Sequence, residues 1–153
     1  MKQRMVGMVL AWCMTLGVSA VAHQAVAAER SATKNYILRC LGCHGADGSG
    51  APKQGIPAFP GLVDPLYSND KGRTYLVHVP GVTASSLTNN EIAEVLNYVA
   101  DRWAKAPEQL QRFTAQEVQE RQQVPVKDVV ALRRALTEQL RQQGIELADY
   151  PWP

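Results

Sequence analysis

Cys40-Leu41-Gly42-Cys43-His44 constrains this chain more than any other stretch. Two thiols separated by two residues, with an imidazole directly after the second, form the attachment pattern of covalently bound haem. The spacing follows from the chemistry. Each thiol adds across one vinyl group on the same edge of the porphyrin, and one helical turn brings Cys40 and Cys43 to that edge. The next side chain, His44, then points at the iron as its proximal ligand. Three other readings compete. A thioredoxin-like dithiol demands a strand-helix setting and no ligand His after it. A zinc site with His78 as remote ligand meets the difficulty that neighbours Cys43 and His44 hardly reach one tetrahedral ion together. A plain disulfide is the third. Export of the chain agrees with haem attachment.

Lys2 and Arg4 make a positive start, Val6 to Val21 is almost unbrokenly apolar, and Ala25-Val26-Ala27 offers small residues for cleavage. Residues 1–28 are therefore read as a signal peptide, with a retained membrane anchor as the alternative. Cys13 does not read as a lipoprotein site, because bulky Trp12 precedes it. Removal of the leader takes away Lys2 and Arg4 and brings the formal charge from +2 to neutral, so nucleic-acid binding loses its electrostatic basis. Cys13 and all four methionines leave as well, so Cys40 and Cys43 are the only thiols that remain. The expected location is periplasmic, with no membrane span after cleavage.

Residues 29–106 read as the haem-carrying domain and residues 107–153 as a helical extension. Ser31 to Cys43 is expected as the first helix, capped by Ser31 or Thr33. The run from Gly45 to Gly50 lacks the Lys-Ser/Thr ending of a phosphate loop and reads as a turn around the haem edge. Residues 51–63, with Pro52, Pro57 and Pro60, are expected as loop, with Phe59 and Leu62 available to pad the haem face. A short helix is expected over 70–78 and a turn over Val79-Pro80-Gly81-Val82. Thr88-Asn89-Asn90-Glu91 is a capping box, and Ile92, Val95, Leu96, Val99 and Trp103 recur behind it at helical spacing. In the extension, Thr114 to Glu117 is a second capping box, and Asp128 caps a helix ending at Gly144. Val129, Leu132, Leu136 and Leu140 line one side of that last helix, with Arg133, Arg134, Glu138 and Arg141 around the rest. Such a stripe is buried either on the haem domain or on a partner or second copy, and the aromatic end Tyr150-Pro151-Trp152-Pro153 offers another contact.

From about Ser31 to Trp103 the chain resembles the small mono-haem class I cytochromes c. The resemblance rests on the Cys40–His44 motif, a later Pro-Gly turn and a capped amphipathic helix at the domain's end. It implies a mainly α fold around one covalent haem, with the helical extension outside the family pattern. It also implies a contact between an aromatic four residues before the first Cys and one in the last helix, here Tyr36 and Tyr98. A carbonyl near Ile56 and Pro57 would accept the proximal imidazole N–H and raise its basicity. One departure stands out. Where the family commonly has a distal Met before Pro, this chain has Val79 before Pro80.

His78 is the remaining candidate for the sixth iron position, one residue from the family's place, with an open or water-bound iron as the alternative. Arg73 is a candidate partner for a haem propionate, and with Lys71 and Tyr75 a candidate distal donor. The function expected is one-electron transfer between a donor, such as a periplasmic dehydrogenase, and a respiratory-chain acceptor, not enzymatic turnover. Two alternatives are a five-coordinate haem protein that binds or reduces a gas or peroxide, and a haem subunit of a larger redox complex. Association into oligomers would use the extension.

Overall fold

The computed structural model describes residues 30–147, so the leader and the Tyr150–Trp152 end lie outside the described residues. The first helix, α1 (Ala32–Arg39), opens under the Ser31 hydroxyl. It does not run on to Cys43 as expected. Cys40 leaves helical geometry at φ −120°, ψ −36°, and α2 (Leu41–His44) starts a new turn. Bonds of 2.9 Å from the Cys40 N–H to the Tyr36 carbonyl and from the His44 N–H to the Cys40 carbonyl flank the break. The chain thus changes course at the first cysteine without leaving these backbone groups unsatisfied.

The expected loop over 51–63 holds a 3-10 turn (Pro52–Gln54) and a lone antiparallel bridge between Ala51 and Ile56. It ends in a short helix the sequence did not announce, α3 (Val63–Tyr67). Pro65 stands in its first turn, where a missing N–H costs no intrahelical bond. α4 (Asp70–His78) lies where a helix was expected, and its Asn69 cap accepts from the Gly72 N–H at 3.0 Å. Residues Val79 to Val82 are not a bare turn but lead into the one-turn helix α5 (Pro80–Thr83), with Pro80 at its first position.

α6 (Asn89–Trp103) has its capping box closed on both sides. The Thr88 hydroxyl accepts from the Glu91 N–H at 3.2 Å, and the Glu91 carboxylate accepts from the Thr88 N–H at 3.1 Å. In the extension, α7 (Ala115–Gln122) keeps only half of its expected box: Thr114 accepts from the Glu117 N–H at 3.1 Å, while the Glu117 carboxylate turns to two arginines. α8 (Val129–Gln142) opens under Asp128, which accepts from the Val130 and Ala131 N–H groups at 2.9 Å.

α1 packs on α6. Buried Asn35 donates to Glu91 at 3.2 Å, so the starts of both helices share one polar contact. The Thr88 N–H and then the Asn35 amide hold the Glu91 carboxyl below the usual carboxylate range. The apolar core of Leu66, Val77, Ile92, Leu96 and Val99 continues into Phe113, Val118, Leu136, Leu140 and Leu147 of the extension. α7 lies on α6 and α4, and α8 on α4. The stripe of α8 is therefore covered by the chain's own core. Arg133, off the apolar stripe, is nonetheless 3% exposed, with its guanidinium 5.5 Å from the centre of the Tyr75 ring. No helix among the described residues is long and apolar enough to cross a membrane.

Leu136 is fully buried. Leu136→Ala should cost about 2–5 kcal/mol of stability for the whole chain, read from denaturant unfolding. A loss well under 1 kcal/mol, or a separate early transition for the extension, would show that the two parts do not share a core.

Candidate haem site

Cys40 is half-buried, Cys43 exposed, and both are free thiols. The Cys43 N–H donates to the Cys40 carbonyl at 3.1 Å, so the two lie one turn apart, as attachment to one porphyrin edge requires. Burial, and then the neighbouring Cys43, push the Cys40 thiol above its ordinary value. A self-activated redox dithiol would show the opposite shift. No group of three or more His, Cys, Asp or Glu side chains is gathered for a metal ion among the described residues.

His44 is positioned by the short turn α2 and by the loop that follows. Its Nδ1 lies 3.2 Å from the Pro57 carbonyl, the geometry of an N–H donor. That leaves Nε2 as the ring nitrogen free to act as a ligand. The Phe59 ring is stacked on the imidazole, with centres 4.1 Å apart and planes 13° from parallel. Burial lowers the imidazole's proton affinity, against the opposing pull of the Pro57 carbonyl. A half-buried, neutral imidazole with one nitrogen tied is suited to metal ligation.

The loop that brings Pro57 to His44 depends on Gly50. Its φ is +62°, its N–H donates to the His44 carbonyl at 2.9 Å, and a Cβ there would stand 2.5 Å from the Pro57 carbonyl oxygen. At Gly48 a Cβ would stand 2.6 Å from the Trp103 indole, whose Nε1–H donates to the Asp47 carbonyl at 2.8 Å. Tyr36 closes the group: its hydroxyl donates to the Gly45 carbonyl at 2.6 Å, and burial pushes its pKa up to about 12. Its ring centre is 5.4 Å from that of Tyr98 and 5.3 Å from that of Trp103. The contact between first and last helices implied by the resemblance is thus present. Trp103 adds a second strut to the loop, which its place in a helical pattern did not reveal.

His78, at the end of α4, is half-buried, with Nδ1 2.8 Å from the Thr74 carbonyl of its own helix. Like His44, it has one nitrogen tied to a backbone oxygen and Nε2 left over.

Arg73 is engaged elsewhere than at a propionate. It is 4% exposed, and its Nε and Nη2 donate to the two Glu117 oxygens at 2.7 and 2.6 Å. Nη1 donates to the Gln111 carbonyl at 2.9 Å and to that of Tyr67 at 3.2 Å, and the guanidinium lies 3.8 Å from the Phe113 ring centre. Arg73 thus faces Glu117 and the extension, where the sequence suggested a propionate partner. The reason it escaped notice is distance along the chain, since Glu117 lies 44 residues away.

The chain is 33% identical over 111 residues to a cytochrome c-552 of Thermus thermophilus, covering 60% of this chain and 74% of that protein. It is 34% identical over 100 residues to a second Thermus thermophilus cytochrome c-552, covering 52% of this chain and 76% of that one. No family model and no solved structure matches. The class is that of c-type haem proteins, with haem c covalently bound. Within it, the chain belongs to the cytochrome c family, which acts in electron transfer.

Gly50→Ala should lower stability by about 1–3 kcal/mol and shift the His44 Nδ1–H resonance, because either φ or the Pro57 carbonyl must give. Gly81→Ala, where a Cβ meets nothing within 4 Å, serves as control and should do neither. An unmoved His44 resonance in the Gly50 variant would separate that glycine from the ring's orientation.

Proposed function

We propose that Cys40 and Cys43 hold the haem by thioethers and that His44 supplies the proximal nitrogen through Nε2. The observation that carries this reading is the 3.2 Å contact to the Pro57 carbonyl from Nδ1 of His44, the residue directly after the second thiol. That carbonyl fixes the tautomer and raises the basicity of the ligating nitrogen. Haem supplies a one-electron Fe(III)/Fe(II) couple when bound. The chain's own part is to orient the imidazole, exclude water and set the environment of the iron.

His78 is the proposed sixth ligand. No methionine lies beyond Met14, and the leftover Nε2 of His78 supports this choice. Two imidazoles favour Fe(III) relative to a His/Met pair, so a lower potential follows. The protein is read as an electron carrier rather than an enzyme, exported through its leader to the periplasm. It works between a donor such as a dehydrogenase and a respiratory-chain acceptor. A neutral mature chain docks through local patches more than by long-range steering. Residues 29–106 carry the haem, and the described part of the extension, residues 107–147, braces that unit.

The ferric EPR spectrum of the exported protein should be low-spin and should turn high-spin in His78→Ala, with ready binding of added cyanide. His44→Ala should abolish the native spectrum altogether. An unchanged spectrum in His78→Ala would take that residue out of the iron's coordination. High-spin iron in the unaltered protein would favour a ligand-binding haem protein instead.

A further inference from the structure

The extension does more than cover apolar surface, because its charged groups converge on the helix that ends in His78. Glu117, on α7, accepts from Arg73 and also from Arg121 Nε at 2.8 Å. Arg121 reaches back to α4. Its Nη1 donates to the Asp70 carbonyl at 3.0 Å and to the Thr74 hydroxyl at 2.8 Å, and its Nη2 meets the Asp70 carboxylate at 2.8 Å. Thr74 is also the residue whose carbonyl holds the His78 ring, again at 2.8 Å. Glu117 and Arg121 thus hold the Thr74 side chain, and the backbone carbonyl of the same residue holds the imidazole of His78.

Burial alone would push the Glu117 carboxyl up, yet the hydrogen bonds from Arg73 and Arg121 outweigh it and hold the group below its usual range. The carboxylate is thus charged and fixed at neutral pH. Another ion pair, between Arg112 and Asp101, also joins α6 to the chain entering α7, but it is half-exposed and does not touch α4. The two pairs give the extension one contact that bears on His78 and one that does not.

We propose that Glu117 and Arg121 are positioning residues for His78, holding its ring through Thr74 at the sixth position of the haem iron. This rests on the reading of His78 as the distal ligand. An extension that locks this side chain makes the iron slow to accept outside ligands, which suits a carrier whose coordination must not change between oxidation states. Loss of the lock raises the population of molecules whose sixth position is open.

The test uses the full-length, exported, haem-loaded protein and follows the rate of cyanide binding to the ferric form and the reduction potential. Arg121→Gln leaves the Arg73–Glu117 pair in place and is the milder variant, and Glu117→Ala removes the anchor. Each should speed cyanide binding by on the order of tenfold or more, as a part-buried ion-pair network loses its hold on α4. Each should also shift the potential, while Asp101→Asn stays within about twofold of the parent rate. In a His78→Ala background, Arg121→Gln should add nothing further, since coupled residues are not additive. A parent-like rate in both Arg121→Gln and Glu117→Ala, beside a fast His78→Ala, would overturn the inference alone. So would an Arg121→Gln effect that persists undiminished in the His78→Ala background. Parent-like binding in His78→Ala itself would instead overturn the ligand reading on which the inference rests.

Discussion

The structure turns on how the His44 imidazole is held. Its Nδ1 meets the Pro57 carbonyl and its face meets Phe59. The carbonyl stays in place because Gly50 leaves room for it. The loop containing Gly48 and Gly50 is pinned in turn by Trp103 at the far end of α6 and by Tyr36 on α1. Contacts from α1 and α6 therefore converge on the loop that holds this ring. A ligand side chain needs this kind of support, since an imidazole free to rotate offers the metal neither a set tautomer nor a set direction.

The extension after Pro107 packs on α4, the helix that ends in His78. Residues after Pro107 lay their apolar groups into the existing core, so that Phe113, Val118, Leu136 and Leu140 are as buried as Val63 or Leu66. Glu117 and Arg121 of α7 turn to α4 rather than to solvent. Arg73 stacked on Phe113 and bonded to Glu117 is a buried cation with both its charge and its donors satisfied, which is the condition for keeping one in a core. The ordinary surface ion pairs, Arg141 with Glu138 for example, contribute far less.

What was legible in the sequence was local or covalent. The capping box at Thr88, the Thr114 and Asp128 caps and the helix over 70–78 depend on residues within one or two turns, and each lies where its residues placed it, while the Glu117 half of the second box is lost to arginines from elsewhere. The Cys40–His44 spacing carries its chemistry in five residues. The Pro57 carbonyl came from the family resemblance, with only spacing to support it. What was hidden depends on docking between distant segments. Arg73 looked available because nothing near it in the chain is acidic except Asp70, whereas its partner Glu117 belongs to another helix. Arg133 stands off the apolar stripe in the sequence, and its burial over the Tyr75 ring depends on the docking of α8 on α4. α3 was masked by its own proline, which is harmless in a first turn and disruptive only later.

The most direct measurement is peptide mapping of the exported protein by mass spectrometry after denaturation and thiol alkylation. A single peptide containing Cys40 to His44 should carry one haem, with both cysteines refusing the alkylating reagent. Alkylated, haem-free Cys40 and Cys43 in protein that has passed through export would contradict the account at its root.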